Sequence, residues 1–212
     1  MSTTRRSARR SLLGLALVAV LFTTACIGGG TFRTYYETPV AADVSRGWTV
    51  SDVRVSVPDG LIVSEEKSIL PKADIVWRED PPGDRRAQVA AIIRTAAEQA
   101  VSGLDGAQEV QLNITMTRFH ALTMQAETRL DNVGVHNITF VAWITDAETG
   151  IILAGPEPID AELPAMSGEA MRAARARGET QKSQITAHVT RTLAGWLGIG
   201  PDPRGSFVRS GD

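Results

Sequence analysis

Two kinds of spacing recur along the 212 residues, and each predicts a different element. Alternation is clearest at residues 110–117, where Val110, Leu112, Ile114 and Met116 share one side and Gln111, Asn113, Thr115 and Thr117 the other. Successive strand side chains point to opposite faces, so this segment predicts an antiparallel strand with one face on a core. Residues 136–145 repeat the pattern through Ile138, Phe140, Ala142 and Ile144, and Val53, Val55 and Val57 predict a strand over 48–57. Apolar positions three and four apart mark helices instead. One carries Val89, Ile92, Ile93, Ala96, Ala97, Ala100 and Leu104 behind a capping Asp84; the other carries Ile185, Val189, Leu193, Trp196 and Leu197 between Thr180 and a stop at Gly198.

Turn chemistry separates these elements at Pro58-Asp59-Gly60, at EDPPGD and at DAETG, residues 146–150. The last closes a hairpin into IILAGPEPI, residues 151–159, whose Pro156 and Pro158 cannot donate ladder hydrogen bonds and so predict a strand at a sheet edge or one that ends early. The alanine- and arginine-rich stretch 164–178 permits a further helix. The order strand, helix, three strands, helix predicts a single α+β domain over 48–199, a largely antiparallel sheet of about four strands with two main helices packed on one face. Residues 26–47 show neither period and read as a tether, and residues 200–212 read as a disordered polar tail.

A different pattern opens the chain. Arginines 5, 6, 9 and 10 precede an uninterrupted apolar or small run over 12–25. At about 14 residues it matches the apolar region of a signal peptide, whereas a spanning helix needs roughly 20. Thr23-Thr24-Ala25-Cys26 resembles the lipobox of bacterial lipoproteins, in which the cysteine becomes the lipidated first residue of the mature chain. Thr23 stands where that motif usually has leucine, and ordinary cleavage after Ala25 is the alternative. The position of Cys26 and its being the one cysteine of the chain favour the lipid, because it has no second thiol with which to form a disulfide or redox pair. ARRSLLG, residues 8–14, is also similar to the twin-arginine export motif, with the Sec route as the default. Ile27 follows the cysteine, where an aspartate would signal inner-membrane retention of the enterobacterial kind, so the lean is toward the outer membrane.

Charge narrows the partners. The whole chain carries a formal −2, and four of its 22 basic residues fall in the leader, so the mature part is net acidic. That balance argues against nucleic acid and against a polybasic membrane patch.

The chemistry-bearing residues are few. His120 falls in phase with 110–116 and His136 with 138–144; if the two strands pair around a loop near Thr128, the histidines sit opposite one another on one face, as two ligands of a zinc or copper site would. No third ligand presents itself, so unrelated strand-end histidines are the simpler reading and no metal or other cofactor is expected. Ser64-Glu65-Glu66-Lys67 spells a serine-lysine acyl-transfer motif without its helix or partner motifs, and Asn113-Ile114-Thr115 and Asn137-Ile138-Thr139 are glycosylation sequons by spelling alone. No catalytic residue is assigned and the chain is not expected to be an enzyme; the rival reading is an envelope hydrolase or metal-binding protein using loop residues near His120 and His136. The expected contact surface is the loop WREDPPGDRR, residues 77–86, where Trp77 would anchor a partner and Arg78, Arg85 and Arg86 mix with Glu79, Asp80 and Asp84. The alternative there is a solvated turn with Trp77 tucked into the core.

ADIVWREDPPGDRRAQV (73–89), TRFHALT (117–123) and GVHNITF (134–140) resemble a family of small alphaproteobacterial lipoproteins known only as a domain of unknown function. The resemblance runs from about Trp48 to Leu163 and implies an envelope lipoprotein, with no activity, cofactor or catalytic residue to carry over. Together these readings describe a lipid-anchored, periplasm-facing binding or scaffolding module whose partners are the membrane, through the lipid on Cys26, and an unidentified envelope protein.

Overall fold

The computed structural model describes residues 30–131 and 133–209, so the leader and Cys26 lie outside the described residues. Along the chain come β1 (Gly30–Tyr35), α1 (Ala42–Ser45), β2 (Trp48–Ser56), β3 (Ile75–Val76), α2 (Arg85–Val101), β4 (Gln108–His120), α3 (Met124–Arg129), β5 (Val135–Asp146), β6 (Ile152–Ala161), β7 (Leu163–Pro164), α4 (Gly168–Ala176), α5 (Gln181–Trp196) and β8 (Gly205–Arg209). The expectation of a four-stranded, largely antiparallel sheet with two helices is therefore wrong. The sheet is mixed and eight-stranded, ordered β2-β4-β5-β6-β1-β8, with β3 joined to β4 and β7 to β5.

The two longest alternating segments become β4 and β5 in the interior of this sheet, and the third becomes β2 at its end. β4 and β5 pair antiparallel from Val110↔Asp146 to His120↔Asn137, and DAETG closes the turn from β5 into β6. β2 and β3, however, run parallel to β4. Parallel neighbours cannot be joined by a tight turn, and α2 supplies the crossover between β2 and β4. Gly106 lets the two strands start side by side, because a Cβ there would lie 2.1 Å from the Gly47 carbonyl carbon.

The two long helices form as their spacing predicts. Asp84 caps α2, accepting from the Ala87 amide at 3.1 Å, and Thr180 and Ser183 form a reciprocal box at the start of α5. Their stripes, Val89, Ile93 and Ala97 on α2 and Ile185, Val189, Leu193 and Trp196 on α5, share one core with Leu112, Ile114, Phe140 and Ile144 of the sheet.

Against the expectation of a tether and a disordered tail, Gly30–Tyr35 and Gly205–Arg209 are strands of the sheet. β1 pairs with β6 through Thr34↔Ala161 and with β8 from Gly30↔Arg209 to Thr34↔Gly205, and Phe32 stacks on Phe207 at 5.9 Å between ring centres. Its period is hidden because an inward position is a threonine. Buried Thr34 is satisfied by the Glu162 carbonyl at 3.1 Å and by His188 Nε2 at 3.0 Å. This addition also moves β6 into the interior. Its prolines lie where β1 has ended, so Pro158 faces Val141 of β5 while its other side takes no part in the β1 ladder.

Candidate functional site

The WREDPPGDRR loop turns inward. Trp77 is fully buried, edge-on to Phe119 at 5.7 Å, with its indole N–H donating to Asp80 Oδ2 at 2.8 Å. It is thus a core side chain with no surface to offer a partner. Arg85 is buried as well; its fork donates to Glu65 Oε1 at 2.7 Å, to the Asp80 and Pro81 carbonyls at 3.1 Å each and to Gln88 Oε1 at 2.8 Å. Arg78 holds Glu65 and the Glu66 carbonyl, and Arg86 holds the Asp59 and Leu61 carbonyls at 2.8 and 2.7 Å. All three arginines therefore tie the long connection between β2 and β3 onto this loop. Residues 64–67, the serine-lysine spelling, lie in that connection and outside any helix.

The acids of the loop brace α5. Glu79 accepts from the Gln181 and Lys182 amides at 3.0 and 2.6 Å and from Arg175 at 2.8 Å, filling the unpaired donors of a helix start from about 100 residues away in sequence. Burial pushes the Asp80 carboxyl up, but hydrogen bonds from Lys182 and Trp77 and the charges of Lys182 and Arg85 outweigh it and hold Asp80 below the usual range. Buried Glu127 of α3 closes the network, binding Arg175 at 2.9 Å and Gln181.

The histidines do not meet as the alternation suggests. The β4–β5 register slips between Met116 and Arg118, so the inward phase passes from even to odd positions and Phe119, not His120, faces Ile138. His120 pairs with Asn137 and its Nδ1 lies 2.8 Å from Arg118, two residues back on the same side, while His136 shares the opposite, inward side with Ile138. The expected two-histidine face is absent for this reason. Among the described residues no group of three histidine, cysteine or acidic side chains could hold a metal ion. His136 is fully enclosed, and neither ring nitrogen has a hydrogen-bond partner among the described residues. Burial, aided by His188 and His120, brings it down to about 3, and burial with Arg191 brings His188 to about 4, so both imidazoles are neutral at pH 7.

What gathers at this end of the sheet is apolar surface. A cavity of about 220 Å³ opens between Leu70, His120, Leu122, Leu130 and Val135, and a second of about 430 Å³ shares Leu70 and His120 with it. Thr123, which caps α3, donates to the Ser68 carbonyl at 2.9 Å and so ties the segment that bears Ile69 and Leu70 to the start of α3, where Met124 stands. These three side chains are 40, 51 and 56% exposed. Ile69 and Leu70 escape a reading by period because the connection between β2 and β3 has none, although Ile69-Leu70 ahead of Pro71 is an apolar pair in an irregular segment.

Comparison with known proteins adds a family. The profile described as "Family of unknown function (DUF6778)" matches residues 48–211. No curated protein matches the chain. Among solved structures the chain is similar to a PelC dodecamer, a point variant, from Paraburkholderia phytofirmans, at 12% identity and a TM-score of 0.35, covering 80% of this chain and 98% of that one. It is also similar to a protein classed as a lipoprotein from Caulobacter crescentus CB15, at 17% identity and a TM-score of 0.33, covering 51% of this chain and 83% of that one.

Proposed function

We propose, from the premise that the chain belongs to the DUF6778 family of unknown function, that it is a lipid-anchored envelope protein that faces the periplasm and acts as a non-catalytic binding or scaffolding module. The observation that carries this reading is the junction at Cys26. An arginine-rich start and an apolar run lead to the single cysteine, and four residues later β1 is already hydrogen-bonded to β8. A domain that begins so soon after the acylated residue is held at the membrane without a spacer. The Arg78, Arg85 and Arg86 forks and the Glu79, Asp80 and Glu127 carboxylates are spent on bracing the domain, as suits a rigid module. Among the described residues no helix is long and apolar enough to cross a membrane, so membrane attachment in this reading rests on the lipid.

The test is fractionation of the full chain expressed in a Gram-negative host. Wild-type protein should partition with membranes and carry acyl chains by mass spectrometry, whereas Cys26→Ser should appear in the soluble periplasmic fraction. Membrane recovery of Cys26→Ser equal to wild type would reject the anchor.

A further inference from the structure

We propose that the end of the sheet bearing Ile69, Leu70 and Met124 lies against the lipid surface of the membrane to which Cys26 is anchored, with those side chains entering the interfacial layer; this rests on the anchor reading above. The sheet register fixes where the chain enters. Tyr35 pairs with Asp160, Asp160 with Thr139 and Thr139 with Arg118, so Tyr35 and Arg118 are level across four strands. β1 runs antiparallel to β4, because three antiparallel pairings separate them. Followed back from Tyr35 to Gly30, β1 therefore runs toward the same end of the sheet as β4 followed forward from Arg118 to His120. Just beyond that end, Thr123 caps α3 at Met124 and donates to the carbonyl of Ser68, the residue before Ile69 and Leu70. Chain entry and the segments bearing the apolar side chains thus share one end of the sheet, where β1 and β4 are three strand spacings or about 14 Å apart.

Reach and composition then select the face. Cys26 lies four residues before Gly30, so the acylated residue is at most about 14 Å from it. Within that radius the domain can tilt, and burial of apolar side chains chooses the tilt. Val208, opposite Thr31 and 70% exposed, adds to the same end. Lys67 and Lys72, both exposed, flank Ile69 and Leu70 and can meet lipid phosphates while their stems lie along the apolar surface. The competing exposed cluster, Ile151, Ile152 and Leu153, follows the β5–β6 turn at the other end of β4 and β5: Ile152 is level with Thr145 and Gln111, about 30 Å along the strand from His120 and beyond the reach of the anchor.

The experiment uses the lipidated full chain in vesicles of phosphatidylethanolamine and phosphatidylglycerol. With the native thiol taken by lipid, Leu70→Cys and Met124→Cys each offer one site for a polarity-sensitive fluorophore, and Glu148→Cys in the β5–β6 turn is the control. All three positions are exposed, so the substitutions leave the core intact. Expected are a blue shift and loss of emission with brominated lipid at 70 and 124, and neither at 148. Protein that floats with the vesicles while 70 and 124 report water overturns the apposition alone. Protein that fails to float overturns the anchor and the apposition with it, and equal quenching at 148 overturns the orientation.

Discussion

His136 shows what one enclosed side chain does to the whole stability curve. Its nitrogens have no partner among the described residues, so the fold accepts it only as the neutral ring. In the unfolded chain a histidine takes up a proton near pH 6.5. Folded His136 resists protonation until about 3 and His188 until about 4. The unfolded state therefore binds more protons between about 4 and 6.5, and stability present above 6.5 is lost as the pH falls through that window, by up to about 1.4 kcal/mol per pH unit for each ring. Asp80 and Asp146, which are held low, add acid sensitivity only below about 4. The expected outcome is a urea midpoint that drops between pH 7 and pH 5, with His136→Leu roughly halving the slope. Equal slopes for variant and wild type would show that His136 titrates normally in the fold.

At the scale of elements, what could be read in advance depended on whether polar and apolar residues stayed in register with the backbone. Val110 to Met116 and the stripes of α2 and α5 were legible because each inward position is apolar. β1 was not, since Thr34 faces inward with its hydroxyl satisfied by groups 128 and 154 residues away. The slip at Thr117 inverted the phase of His120 in a way that no alternation can announce, and Trp77 looked like a surface anchor because the charges around it suggested solvent when they were ion pairs within the fold. The terminal strand offers a direct measurement. Truncation after Gly200 removes β8, the Phe207 stack on Phe32, the Asp202 acceptor of the Tyr36 hydroxyl and Arg204 from the Tyr36 ring. That loss should lower unfolding free energy by about 3 kcal/mol, the scale of one large aromatic contact surrendered, in a urea titration. An unchanged midpoint would mark β8 as peripheral.

For the molecule as a whole, the family match and the folded unit have different limits. The match begins at residue 48, yet β1 lies between β6 and β8 and Tyr36 is fully buried. A chain cut to residues 48–211 would leave β8 without its ladder, open the β6 edge and remove the Glu37 and Thr38 amides from buried Glu157. Compared with residues 30–212, that shorter chain should unfold at lower denaturant with a broadened transition; coincident curves would show that β1 is dispensable.

The position of β1 also decides how the domain carries mechanical load. A pull through the N-terminus enters at Gly30 and acts along the strand, not across it. Its hydrogen bonds to β8, its pairing with β6 and the Arg33 contacts to Asp160 and Glu162 at 2.7 Å are then sheared together rather than peeled one by one. Bonds loaded in parallel share the force, and the rate of forced unfolding is set by their joint rupture. A pull on the N-terminus stretches the sheet as a unit before any strand leaves it.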